Sequence, residues 1–229
     1  MRIFLIPSFR EKYCRLRFFF LIRTFKLKSE IGEHSLHVNY SRSHFANYNS
    51  VKARVNYLIN RLSTIQDTNF TSKSILSIGP RYESELYGFY GLGFKWKNIM
   101  AIDSFSYSPL IRKGDMHKLP FIEQTFDYII CGWTIAYSSE PRKAIYEMFR
   151  VLKPNGIVLL TWDLPSNLNF FELSKIKLFL KKDIYIDNFF DEIEMLNIVS
   201  RLFRVVRVEV GYLKFNSNTP FTTLILEKL

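Results

Sequence analysis

Ser74-Ile75-Leu76-Ser77-Ile78-Gly79-Pro80-Arg81-Tyr82-Glu83 is the stretch that decides the fold. A short apolar run stops at a glycine, and a helix-compatible segment, Glu83–Tyr90, follows. An apolar run of this length between turn residues fits a strand buried on both faces, as parallel sheets require. The glycine lets the backbone turn sharply and leaves no Cβ in the path of a ligand. The helix that follows points its first N–H groups into the same space.

The pattern repeats on either side. Asn98-Ile99-Met100-Ala101-Ile102-Asp103 is a second apolar run, ending at an acid, and Phe126-Asp127-Tyr128-Ile129-Ile130-Cys131 is a third. Arg142–Leu152 predicts an amphipathic helix with Ala144, Ile145, Met148, Phe149 and Leu152 on one face. Lys153-Pro154-Asn155-Gly156 stops it, and Gly156–Trp162 is a fourth strand. Upstream, Val51, Val55, Leu58, Ile59 and Leu62 recur at helical spacing over Asn49–Leu62, with Lys52, Arg54 and Arg61 on other faces. Strands alternating with helices imply a parallel sheet with right-handed crossovers. The C-terminal third differs. Helices are expected over Phe170–Lys182 and Phe189–Phe203. Strands over Val205–Leu213 and Phe221–Glu227, joined by the polar turn 216–220, make an antiparallel hairpin at one sheet edge.

The chain thus divides into a basic aromatic arm, 1–48, and an α/β domain, 49–229. Within the domain, 49–73 is a leading helix and linker, 74–163 the core, 164–204 a helical insertion and 205–229 the terminal hairpin. About half of the 229 residues are apolar, enough for a full core. Of the net charge of +11, residues 1–28 supply +7, from eight Lys or Arg against Glu11. The basicity therefore belongs to the arm, which disfavours a general nucleic-acid surface. Cations mixed with Phe18–Ile22 can contact an anionic membrane surface; the plainer expectation is an arm packed on the domain with its cations solvated. Cys14 and Cys131 fit no metal-ligand spacing, so no metal is expected, and their separation argues for free thiols in a reducing compartment. No apolar run reaches the ~18 residues of a membrane span. The expected location is cytoplasmic.

Ligands of open α/β sheets sit beyond the carboxyl ends of the strands. Asp103, 24 residues after Gly79, is placed to accept from both ribose hydroxyls. In Gly114-Asp115-Met116-His117-Lys118-Leu119-Pro120-Phe121, Asp115 can accept from an adenine amino group and Met116 can pack on the ring. For Asp103 the ribose role is preferred over capping the following turn, with which it can coexist; Asp115 can equally be an ordinary loop acid. A Gly-x-Gly-x-x-Gly fingerprint is absent, which counts against NAD or FAD.

Residues 74–163 resemble the class I S-adenosylmethionine-dependent methyltransferases, in particular the type 11 small-molecule group. The resemblance rests on Asp103, on Gly114–Phe121, on the Phe126–Cys131 strand and on Arg150-Val151-Leu152-Lys153-Pro154-Asn155-Gly156. It implies a Rossmann-like, seven-stranded, mostly parallel sheet with helices on both faces, and S-adenosyl-L-methionine as cofactor. It also implies a small-molecule or glycan substrate. The cofactor residues it designates are Gly79, Pro80, Arg81, Glu83, Asp103, Asp115, Met116 and Cys131. The first motif departs from the family's acid-x-Gly-x-Gly-x-Gly: Ser77 replaces the acid, and Arg81 and Glu83 replace two glycines. Arg81 can pair with the cofactor carboxylate while Glu83 or Glu85 receives its ammonium. Loss of cofactor binding, leaving a non-catalytic module, is the competing reading. His117, Tyr137 and Asp163 are the candidate bases, each with an alternative role in a loop, in packing or as a cap. An RNA methyltransferase using the basic arm is the third reading. It is disfavoured because Cys131-Gly132-Trp133-Thr134 stands where such enzymes often carry Asn/Asp-Pro-Pro-aromatic.

Overall fold

A computed structural model describes residues 2–25, 48–65, 69–80, 82–104, 106, 108–163, 198–212 and 220–229. Its helices are α1 (Pro7–Phe25), α2 (Tyr48–Ser63), α3 (Ser84–Leu92) and α4 (Pro141–Val151), preceded by a 3-10 turn at Arg2–Leu5. Its strands are β1 (Ile75–Ile78), β2 (Ile99–Asp103), β3 (Arg112–Lys113), β4 (Phe126–Gly132), β5 (Leu152–Asp163), β6 (Phe203–Tyr212) and β7 (Pro220–Lys228). Among the described residues these seven strands form one sheet, in the order β3-β2-β1-β4-β5-β7-β6.

The strands from β3 to β5 are parallel, and β7 runs antiparallel between β5 and β6. The sheet is therefore the mostly parallel, Rossmann-like one expected, with the C-terminal hairpin at its edge. Side chains of one strand serve two cores. Leu76, Ile78, Ile129, Cys131, Val158 and Leu160 pack on the side of α4, with Ala144, Ile145, Met148 and Val151. Ile75, Ile130 and Leu159 pack on the other side, with Leu58 and Leu62 of α2 and Leu86 and Phe89 of α3. This two-sided burial is why the strands read as continuous apolar runs.

Two of the family-like segments turn out to be fasteners. Arg150 bonds Glu147 and donates to the carbonyls of Leu119 and Phe121, while Glu147 accepts from the Leu119 N–H at 2.7 Å. These bonds latch the Leu119-Pro120-Phe121 loop onto α4. Asp127 accepts from the Ser74 N–H at 2.8 Å and from Lys153 at 2.7 Å, which ties the starts of β1, β4 and β5 together. The turn expected at Lys153–Gly156 lies inside β5 as an excursion. Phe126 faces Leu152 and Tyr128 faces Ile157, so four residues loop out, with Asn155 at φ +58°.

The arm needs correction. Residues 7–25 form a long helix lying on α2 and α3, and not all of its cations are solvated. Arg10 is 1% exposed. It donates to Ser84 Oγ at 3.1 Å, to the Phe4 carbonyl at 2.8 Å and to Asn56. Arg17 grips the buried Glu83 through two bonds, at 2.6 and 3.1 Å. A buried carboxylate is costly unless it is paired, and the arm supplies the pair. Two of the eight cations counted toward a phosphate- or membrane-binding surface are thus used internally. No helix among the described residues is long and apolar enough to cross a membrane. The helix expected over Phe170–Lys182, most of Phe189–Phe203 and the turn before Pro220 lie outside the described residues. Residues 198–202 are helical, and Phe203 already opens β6.

Candidate functional site

The chain grows from β1 outward to β2 and β3, then crosses to β4 on the other side of β1. Such a switch point leaves a crevice at the carboxyl ends of the strands. Here it is a cleft of about 310 Å³. Its wall follows sheet order. Asp115, Met116 and His117 stand beyond β3, and Asp103 and Ser104 end β2. Ile78 and Gly79 end β1, and Gly132, Trp133 and Thr134 end β4. Arg54, Val55 and Leu58 of α2 and Glu85 of α3 complete it, and Tyr137 stands at the same cleft.

Gly79 has φ +70°, the left-handed region that glycine enters without steric cost. A Cβ there would lie 2.2 Å from Thr134 Oγ1, which itself donates to the Gly79 carbonyl at 3.1 Å. Two strand ends, β1 and β4, therefore close on each other at this glycine. Trp133 also has positive φ, +62°, held by its N–H bond to the Thr161 carbonyl at 2.7 Å. A bulky residue in that region is a genuine outlier, and such outliers concentrate at functional sites.

Glu85 comes from the first turn of α3 and is 6% exposed. Ser77 Oγ donates to its carboxyl at 2.5 Å. Burial pushes this carboxyl up from the ordinary 4.5 to about 7, against the lowering effect of the Ser77 bond. A serine at the end of β1 and an acid from α3 thus meet where the family's first motif has an acid on the strand alone.

Asp115 is open to solvent, and its carboxyl is held below the ordinary range by the His117 N–H, with further lowering by the His117 ring. Both His117 bonds fall on Oδ1, at 2.9 Å from the backbone and 2.6 Å from Nδ1. The second ring nitrogen meets Ser138 Oγ at 2.6 Å. On the far side, Arg54 stacks over Trp133, 4.8 Å from the ring centroid, and donates from Nη2 to Asp163 Oδ2 at 2.8 Å. The Trp133 indole N–H takes Asp163 Oδ1 at 2.6 Å. Arg54 Nε is buried and has no hydrogen-bond partner among the described residues.

The cleft brings together Gly79, Asp103, Asp115, Met116, His117 and Tyr137. Pro80, Glu83, Cys131 and Asp163 are not on its wall. Glu83 turns to Arg17 and Ser108, because α1 covers that side of α3. Cys131 points into the core on the α4 side, since strand residues alternate. Asp163 has both oxygens committed to Trp133 and Arg54, so it orients cleft residues from behind. Arg81 lies outside the described residues. Arg54, Thr134 and Trp133 were not singled out in the sequence. Arg54 resembles any polar position of an amphipathic helix, and only the packing of α2 across β4 brings it here. Gly132 permits that packing, for a Cβ would meet Leu58 Cδ1 at 2.5 Å.

Comparison with known proteins agrees with this architecture. N-methyltransferase NodS from Bradyrhizobium japonicum, solved with S-adenosyl-L-homocysteine, superposes with a TM-score of 0.59 at 13% identity, covering 85% of this chain and 96% of that one. The cyclase SpnF superposes with a TM-score of 0.50 at 16% identity, covering 77% and 80%. The fold is that of the class I S-adenosylmethionine-dependent methyltransferases. Residues 96–160 match the family model described as Methyltransferase domain, the type 11 group. Among curated proteins, the chain is 31% identical over 103 residues to 2-methyl-6-phytyl-1,4-hydroquinone methyltransferase 1 of Oryza sativa subsp. japonica, 42% of this chain and 31% of that one. It is 39% identical over 49 residues to demethylmenaquinone methyltransferase of Desulfitobacterium hafniense, 21% of this chain and 19% of that one. The chain thus spans less than a third of the length of these relatives.

Proposed function

We propose that this protein is an S-adenosylmethionine-dependent methyltransferase acting on a small molecule. One observation carries the reading: the order of chemistry along the cleft. Asp115 and Met116 stand beyond β3, Asp103 ends β2, and the Gly79 turn ends β1. Strands lie ~4.8 Å apart, so these groups span the length of a nucleoside joined to a further polar group. The donor set fits the cofactor. Asp103 accepts from ribose hydroxyls, and Asp115 Oδ2, free of the His117 bonds, accepts from the adenine amino group. Met116 covers a ring face, and Gly79 presents backbone without a side chain.

Bound there, the cofactor supplies an electrophilic methyl group on sulfur for in-line displacement by an acceptor O, N or S. The protein's part is to position and desolvate. Trp133, Val55 and Leu58 form the apolar wall that excludes water. His117 has both ring nitrogens engaged and holds Asp115 in place. Tyr137, 70% exposed, is left to meet the acceptor. The quinol and quinone methyltransferases among the relatives support a small acceptor.

The altered first turn, Gly79-Pro80-Arg81-Tyr82-Glu83, favours a second reading, a binding module that transfers nothing. The fold alone does not choose, since a cyclase shares it. Calorimetric titration of the purified full chain with S-adenosylhomocysteine tests the primary reading. Saturable heat is expected, and no heat at high concentration refutes it.

A further inference from the structure

The first motif lacks its strand acid, Ser77 standing in its place, and Glu83 does not make good the loss. Glu83 is taken by Arg17 and Ser108. Two other ionisable groups on the cleft wall are incompletely satisfied among the described residues. Glu85 is a buried carboxyl that accepts from one serine hydroxyl, Ser77 Oγ. Arg54 is a guanidinium pinned at one edge by Asp163 and over one face by Trp133, with Nε buried and unbonded. An orphaned buried donor beside a cleft costs free energy unless something in the cleft accepts from it.

We propose that Glu85 and Arg54 form a clamp for an α-amino-acid zwitterion, Glu85 accepting from the ammonium and Arg54 donating to the carboxylate of the cofactor's amino-acid end. The inference rests on the S-adenosylmethionine reading and extends it to this chain's unusual turn. Ser77 and Glu85 together restore what an acid on β1 would do. The hydroxyl at the strand end is short enough to leave room for a carboxylate delivered from α3, and its bond fixes that carboxylate's direction. Arg54 reaches the same cleft from α2. Its five donors allow a carboxylate to be held while Nη2 stays with Asp163. The clamp sits on the β1–β4 side of the cleft, opposite the β3 side where Asp115 stands. A nucleoside end and a zwitterion end are thereby separated along the sheet.

The test compares two ligands on the full chain by calorimetry. S-adenosylhomocysteine carries the amino-acid end; 5′-methylthioadenosine keeps the adenosine and thioether and lacks it. Wild type is expected to bind the first more tightly. Glu85→Gln and Arg54→Gln should each weaken S-adenosylhomocysteine by roughly 10- to 100-fold, the effect of losing one charge-assisted bond. Neither should change the affinity for 5′-methylthioadenosine. Wild type itself provides a check that needs no variant, because decarboxylated S-adenosylhomocysteine should lose affinity comparably. Equal wild-type affinity for the two ligands overturns the clamp, as do variants that bind S-adenosylhomocysteine like wild type or lose both ligands alike. If wild type binds neither ligand, the methyltransferase reading itself falls, and the clamp with it.

Discussion

Replacing Glu85 by Gln should remove one component of the pH dependence of stability over a defined window. The carboxyl is buried, and burial lifts it from 4.5 to about 7 in the folded chain, with the Ser77 bond acting the other way. Between those values the native state keeps a proton that the unfolded state has released. Stability is therefore fully present below pH 4.5 and is lost as pH rises through about 7. The gap of about 2.5 units corresponds to roughly 3 kcal/mol. Gln has the same shape and does not titrate, so the variant lacks this slope. Other shifted carboxyls leave the difference intact. Asp115 is lowered by the His117 N–H and Glu147 by Arg150, and Asp127 is lowered by Lys153 against its burial, so all three act at lower pH with opposite sign. Glu11 is likewise raised by burial, but it is common to both proteins and cancels. Urea unfolding of both proteins from pH 4.5 to 8, without cofactor, measures the effect. The expected result is that wild type loses about 3 kcal/mol relative to the variant across the window, roughly 6–12 °C in Tm for a chain of this size. Parallel curves would refute the argument, because they would mean that Glu85 is solvated or already paired with a cation.

Further expectations follow from other contacts. Gly79→Ala places a Cβ at φ +70° and against Thr134. It should cost at least about 1–2 kcal/mol from the backbone alone, and adding Thr134→Ala should recover only the steric part in a double-mutant cycle. A neutral single variant would contradict the geometry. Arg10→Met leaves the buried Glu11 and Ser84 and the half-buried Asn56 with a donor missing. A loss of about 3–5 kcal/mol in denaturant unfolding is expected, largely restored by Glu11→Gln in the same chain. Cys131 is pushed up to about 12 by burial, and burial likewise raises Cys14. Neither thiol should react with a disulfide reagent at neutral pH before unfolding; fast labelling of folded protein would count against the packing.

Much of the fold was legible because its elements repeat simple periods. The runs ending at Gly79, Asp103 and Cys131 are mostly apolar, since each strand feeds two cores. Val55, Leu58, Ile59 and Leu62 recur at helical spacing because α2 buries one side. Half of the cleft was legible for the same reason: Gly79, Asp103, Asp115 and Met116 follow strand ends, and strand ends in such sheets face the crevice. The 1–48 segment was not legible. A buried Arg10 looks like any surface cation until Glu11, Ser84 and Asn56 are seen around it. The helix that carries it has no apolar stripe of the usual kind.

The amino-acid sequence by itself determined the alternation of strands and helices, the C-terminal hairpin and the residues at the β2–β3 side of the cleft, because these depend on local periodicity and on residues next to strand ends. Tertiary structure alone decided which charged side chains of the helices enter the cleft. Glu83 and Glu85 are two residues apart, so α3 turns them to different sides, one toward α1 and Arg17, the other toward Ser77 and the cleft. Arg54 reaches the same cleft from a helix some 25 residues before Gly79. No spacing rule encodes that meeting, because it depends on how α2 crosses β4 at Gly132.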